Sequence, residues 1–141
     1  MKKYLILGVV FISALLSGCS RDDGCDDGSS SGTTSVTDNY YVKYKVFMPL
    51  LNSNSLREIT YVTEKGTQSF STLSREWEGT YGPLKKGTKL FISVVTDGTA
   101  IYDIESYVVL SVSKNKEAFV NKGEERKASA TSLYASYTID F

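Results

Sequence analysis

The 141-residue sequence contains no histidine, only two prolines and only two cysteines, and its sixteen basic side chains are balanced by sixteen acidic ones. Without histidine there is no imidazole general base, no imidazole zinc ligand and no Ser/His or Cys/His nucleophile pair, so any chemistry rests on carboxylates, lysines or tyrosines. A net charge of zero supplies no bulk positive field for nucleic acid. No Gly-rich loop runs into Lys-Ser or Lys-Thr, which removes a phosphate cradle. The length leaves room for one domain of ordinary size.

What is present begins with a targeting segment. Lys2 and Lys3 precede a thirteen-residue apolar stretch, residues 4–16, which ends in Leu16-Ser17-Gly18-Cys19. A membrane-spanning helix needs about 20 apolar residues, so residues 1–18 read as a cleaved secretory signal. Leu16-Ser17-Gly18-Cys19 resembles the bacterial lipobox, and by that resemblance Cys19 carries diacylglycerol, becomes the mature N-terminus and is acylated. With each buried methylene contributing about 0.8 kcal/mol, two or more chains anchor a protein stably.

Ser20-Arg21-Asp22-Asp23-Gly24-Cys25-Asp26-Asp27 follows, with four aspartates in eight residues. One reading is a solvated acidic spacer that anionic headgroups repel. The preferred reading is an address, because Ser20, Asp22, Asp23, Asp26 and Asp27 resemble the acidic export signal behind the lipidated cysteine of Bacteroidetes surface lipoproteins. With Cys19 lipidated, Cys25 has no partner in the chain and is expected as a free thiol or an occasional intermolecular disulfide. Residues 28–39 contain a single aliphatic side chain and cannot bury enough surface to offset ordering. Residues 19–39 are therefore a tether, with a root-mean-square span of about 25 Å for a Gly/Ser-type coil.

Residues 40–141 are rich in Tyr, Val, Thr, Ile and Phe, alternate apolar and polar, and meet turn signals about every ten residues. The alternation predicts strands over 40–48, 56–64, 68–72, 73–81, 88–96, 104–113, a short 118–121 and a final 133–141, with a polar segment at 122–127. Arg57, Ile59, Tyr61 and Thr63 share one face of the second. The expected fold is an all-β, antiparallel two-sheet sandwich of about seven strands, immunoglobulin-like in size, with a small β-barrel as runner-up. Trp77 and Phe91 are the expected large core residues. Because Ile139 and Phe141 continue the last alternation, the end of the chain is expected to dock in the sheet.

The pattern is similar to small β-sandwich domains of Bacteroidetes surface lipoproteins. It also resembles the periplasmic domain of the MmpS transport accessory family, through Val42-Lys43-Tyr44-Lys45-Val46, Ile59-Thr60-Tyr61, Trp77, the 87–93 segment and the strand-turn-strand of 112–120. That family is held by a membrane helix beside a lipid exporter, whereas this chain carries a lipobox. The resemblance therefore implies a fold, and the transport role is not carried over.

Paired carboxylates are the remaining route to catalysis. Glu76 and Glu78 flank Trp77, and Asp103 and Glu105 bracket Ile104, each pair about 7 Å apart on one strand face. The solvent face of a strand accounts for both, and Glu124 and Glu125 fall in a Lys/Arg-rich loop. No catalytic residue is assigned. The aspartates at 22, 23, 26 and 27 lack the glycine and distal glutamate of a calcium loop, so neither a metal nor another cofactor is expected. Tyr40, Tyr41, Tyr81, Tyr102 and Tyr107 fit the alternation least well and are the candidate binding surface, with Asp97, Asp103 and Lys89 as its polar rim. The sequence thus points to a non-catalytic, lipid-anchored outer-membrane lipoprotein, exposed at the cell surface, whose sandwich binds a glycan or protein. The alternative is a structural or accessory subunit of an envelope or transport complex.

Overall fold

The computed structural model describes residues 37–141. The signal segment 1–18, Cys19, the export-signal positions Ser20, Asp22, Asp23, Asp26 and Asp27, Cys25 and the tether up to residue 36 lie outside the described residues.

Eight strands are formed: β1 (Tyr40–Phe47), β2 (Arg57–Thr63), β3 (Gly66–Thr72), β4 (Glu76–Leu84), β5 (Lys89–Thr96), β6 (Glu105–Lys114), β7 (Val120–Ala128) and β8 (Ser132–Thr138). They make two antiparallel four-stranded sheets, ordered β4-β1-β6-β7 and β3-β2-β5-β8, which stack as a sandwich and do not close into a barrel. Period two explains the stacking. In β1, Tyr40, Val42, Tyr44 and Val46 point inward, where Val42, Tyr44 and Val46 lie opposite Val112, Leu110 and Val108 of β6. Ile59, Leu90, Ile92, Val94, Leu133 and Ala135 meet them from the second sheet.

Three expectations need correction. The strand count is eight rather than seven. The short strand at 118–121 and polar segment at 122–127 are one nine-residue strand, β7. At the edge of its sheet this strand pairs only with β6, so alternation is not enforced. Instead its charges pair among themselves and with a neighbour: Arg126 with Glu124 and Glu105, and Lys127 with Glu125. Trp77 and Phe91 are not the central core side chains. Those are Tyr40, Tyr44 and Met48, all at most 1% exposed. With Leu90 and Ile92 pointing inward, Phe91 faces outward and stacks on Tyr134 with ring centroids 6.2 Å apart.

Trp77 belongs to an aromatic lip that closes the side of the sandwich between β3 and β4. Its ring lies 4.9 Å from Tyr61 and 5.3 Å from Phe70, while Tyr81 lies 5.0 Å from Tyr61. Gly79 makes this possible, because a Cβ there would sit 2.8 Å from both the Trp77 and Tyr81 rings. Inside the lip the Tyr44 hydroxyl donates to the Val62 carbonyl at 2.9 Å, and the Tyr81 hydroxyl donates to that of Tyr61 at 3.1 Å.

Burial pushes the Tyr44 and Tyr81 phenols well above their ordinary value near 10. The folded chain therefore keeps protons that the unfolded chain releases, so stability is complete below about pH 10 and falls as pH rises beyond it. Two of the tyrosines are expected to ionise only together with loss of the β-sheet circular dichroism. Full tyrosinate absorbance with the sheet signal intact would contradict this assignment.

Candidate functional site

The antiparallel ladders place connections 48–56, 73–75, 97–104 and 129–131 at one end of the sandwich. The opposite end receives residues 37–39, where β1 starts, together with the turns at 64–65, 85–88 and 115–119. With eight residues in β1, the two ends are about 26 Å apart.

The end away from residue 37 is held together by backbone hydrogen bonds between its loops. The Leu51 N–H donates to the Thr99 carbonyl at 2.9 Å, Met48 N–H to Arg75 at 2.9 Å, and Thr96 N–H to Thr131 at 3.0 Å. Leu50 and Ala100 form an isolated β-bridge. Gly98 allows the first and third loops to meet, since a Cβ there would lie 2.5 Å from that of Ser55.

Beneath these loops lies Arg57, only 2% exposed. Among the described residues its guanidinium has no carboxylate partner. It donates through Nε to the Met48 carbonyl at 2.6 Å, and through Nη1 to the carbonyls of Leu73 at 2.8 Å and Ser55 at 3.3 Å. Desolvation lowers its pKa from the usual arginine value. One side chain thus ties the β1–β2 connection to the β3–β4 connection.

On this base the loops turn apolar side chains outward. Tyr102 is 80% exposed, Leu51 67%, Leu73 53%, Leu56 49% and Ile104 39%. These are five of the nine exposed large hydrophobic residues of the described chain, gathered at one end of it. Leu51 and Tyr102 flank a depression of about 640 Å³ that Asp97, Ala100 and Ile101 also line, while Leu56 borders a separate one with Val95 and Asp97. The intervening residues are mostly Asn, Ser, Thr and Gly, with Arg75, Asp97 and Asp103 as the charged exceptions. Exposed anchors set among short adaptable hydrogen-bonding residues are the composition of a loop-built recognition surface. The opposite end differs, carrying exposed Lys65, Lys85, Lys86 and Lys116. There Lys114 binds Asp38 at 2.7 Å, and Asn115 binds both Asp38 and the Asn39 backbone.

The five candidate tyrosines do not come together. Tyr40 is buried, with its hydroxyl donating to the Phe141 carbonyl. Tyr41 sits half-buried on the outer face of β1. Tyr81 is a member of the aromatic lip. Tyr107 is packed between Phe47 and the Arg126 guanidinium on the outer face of β6. Tyr102 alone joins the apolar crown. Of the expected polar rim, Asp97 and Asp103 lie in the crown's 97–104 loop, while Lys89 begins β5 at the other end.

The paired carboxylates fall on the solvent face. Glu76 and Glu78 project from the outside of β4, and Glu78 is held by Lys45 at 3.1 Å and Lys43 at 3.5 Å, which lowers its pKa. Asp103 occupies an exposed loop position with φ 68°, and Glu105 meets Arg126 at 3.4 Å. Sequence reasoning missed Leu51, Leu56, Leu73 and Ile104. Only Leu51 carried a signal, as an aliphatic residue inside turn-forming sequence, whereas Leu56, Leu73 and Ile104 head the strands expected at 56–64, 73–81 and 104–113. No protein-family model, curated protein or solved structure matches this chain.

Proposed function

We propose that the protein is a non-catalytic binding lipoprotein, held by lipid on Cys19 at the outer membrane and facing the cell exterior, whose loop crown docks a partner protein. The reading rests above all on the gathering of exposed Leu51, Leu56, Leu73, Tyr102 and Ile104 at the end opposite the one the tether enters. Exposed apolar residues scattered singly are ordinary, whereas their concentration on hydrogen-bonded loops at one end is what a docking surface needs. The aliphatic share of the crown favours a protein over a glycan, which would stack on flat aromatic faces. No nucleic acid and no cofactor enter this reading. A second reading, a structural or accessory subunit of an envelope or transport complex, draws on the uncharged free edge of β3.

The anchor is tested by palmitate labelling and protease shaving of intact cells carrying wild type, Cys19→Ala, or alanine at Asp22, Asp23, Asp26 and Asp27. Labelling that depends on Cys19, with shaving lost in the aspartate variant, is the expected result. Wild-type protein that is labelled but protected moves the domain to the periplasm.

For the crown, a photo-reactive amino acid at position 102 or 51 should give discrete adducts in those cells, and one at Lys116, exposed in the β6–β7 turn at the opposite end, should not. Once the partner is identified, the pair Leu51→Ser and Tyr102→Ser should weaken its binding by about 10- to 100-fold, as truncation of two anchors does. Glycan-array binding that disappears with Tyr102→Ser would shift the ligand class to carbohydrate. Absence of adducts at both crown positions would sink the docking role.

A further inference from the structure

A two-stranded sheet edge with unpaired N–H and C=O groups invites another strand, and proteins guard such edges with charges, proline, bulges or coverage. Three of the four edges here are guarded. β4 carries Glu76, Glu78 and Pro83 and has a register shift opposite Tyr40 and Val42. β7 carries five charged residues and a register shift at Leu110 and Ser111 of its partner. β8 is covered by β7: the Tyr134 N–H donates to Glu125 Oε2 at 2.6 Å, and Gly123 lies against the Ser136 backbone.

The fourth edge, β3, has the sequence Gly-Thr-Gln-Ser-Phe-Ser-Thr, without charge, proline or irregularity, and most of it is exposed. The turn Glu64-Lys65 sets Thr63 opposite Gly66. By the antiparallel alternation that follows, Gly66, Gln68, Phe70 and Thr72 exchange hydrogen bonds with β2, while Thr67, Ser69 and Ser71 turn their backbone groups outward.

We propose that β3 is a self-pairing edge, joining two copies of this chain antiparallel about a two-fold axis through Ser69. That register uses every outward group: Thr67 pairs with Ser71 of the second copy, Ser69 with its own counterpart, and Ser71 with Thr67. It sets Thr against Ser across the outer face, a favourable cross-strand pair, and lays Gln68 of one copy beside half-buried Phe70 of the other. No like charges face each other along the strand. At each end a neutral pair, Glu64 with Lys65, meets another neutral pair, Arg75 with Glu76, which are 3.5 Å apart. The result is one continuous eight-stranded sheet, whose seam meets each crown only at the 73–75 loop.

A single strand edge buries less than a standard interface of about 1,600 Å², so the dimer is weak in dilute solution and forms where the chain is locally concentrated. The test is therefore a cross-linking rate in cells expressing the full chain with Cys25→Ser. A hydrogen-bonded antiparallel pair holds its Cα atoms about 5.5 Å apart, within disulfide reach. Under mild oxidation Ser69→Cys should form a disulfide dimer at least tenfold faster than Thr80→Cys on the edge of β4. A mixture of Thr67→Cys and Ser71→Cys should form the heterodimer in preference to either homodimer. Adding Ser69→Lys, which puts two ammonium groups on the axis, should suppress that heterodimer while leaving the melting temperature within about 2 °C, as an exposed substitution does. Equal rates for Ser69→Cys and Thr80→Cys, or an unchanged heterodimer with Ser69→Lys in a folded chain, would overturn the proposal. Because the rates are compared within one protein, that outcome leaves the docking role of the crown untouched.

Discussion

Replacing Arg57 by methionine should lower stability by about 3 kcal/mol and loosen the loop crown. The aliphatic stem is nearly conserved in that change, so packing along β2 survives and the guanidinium alone is lost. What is lost is the donor for three carbonyl oxygens, those of Met48, Ser55 and Leu73. A charged donor contributes about 1.5–3 kcal/mol per hydrogen bond, and a buried carbonyl stripped of its donor costs about 1–3 kcal/mol. Against this stands relief from holding an unpaired cation where water is scarce, which brings the net well below the sum. For a domain of this size, 3 kcal/mol lowers the melting temperature by about 12–20 °C.

The effect should also be local. Amide exchange should quicken in residues 48–56 and 73–75, which Arg57 connects, ahead of the β1–β6 ladder. Arg57→Lys should recover only part of the loss, because one compact ammonium cannot present the planar donors that serve three carbonyls in two loops. A methionine variant within about 1 kcal/mol of wild type, with unchanged exchange in both loops, would show that the carbonyls are satisfied without it.

Arg57 marks where sequence reading ran out. Alternation correctly placed it on one face with Ile59, Tyr61 and Thr63, and the structure buries Arg57, Ile59, Tyr61 and Thr63 together. Nothing local explains why a guanidinium belongs on a core face. The explanation lies in carbonyls from residues 48, 55 and 73, which only the tertiary fold brings to one place. The crown was hidden for the same reason. Leu51, Leu73 and Tyr102 are distant in sequence: Leu73 reads as the start of a strand, and nothing local joins Tyr102, a candidate binding residue, to Leu51. The all-β sandwich was legible because period two is a property of each strand taken singly, and most strands are long enough to repeat it. It failed at β7, where an edge position permits charge on both faces, and at Trp77 and Phe91, whose size suggested a central place that Tyr40, Tyr44 and Met48 occupy instead.

Deleting residues 138–141 should be the most damaging change of all, leaving the domain largely unfolded at 37 °C. Regular strand β8 ends at Thr138, yet the chain beyond it remains part of the core, because Ile139 is 1% exposed. Its backbone also clips the β4–β5 connection: Gly87 N–H donates to the Ile139 carbonyl at 2.8 Å, and Ile139 N–H donates to Thr88 at 3.1 Å. Phe141 then sets its ring edge-on to Tyr40 at 5.6 Å, beneath the Lys122 ammonium at 4.1 Å, and its carbonyl receives the buried Tyr40 hydroxyl. Emptying the Ile139 site costs about 2–5 kcal/mol by the usual transfer and cavity terms. The two backbone hydrogen bonds add about 1 kcal/mol each, and the orphaned Tyr40 hydroxyl at least another 1 kcal/mol. These losses reach about 5–8 kcal/mol, comparable to the whole stability of an ordinary domain. Ile139→Ala alone should cost about 3 kcal/mol and leave a folded protein, which separates the side chain's share from the backbone's. A truncated chain that melts at the wild-type temperature would mean that residues 138–141 are an appendage and that the Tyr40 end of the core is closed by something else.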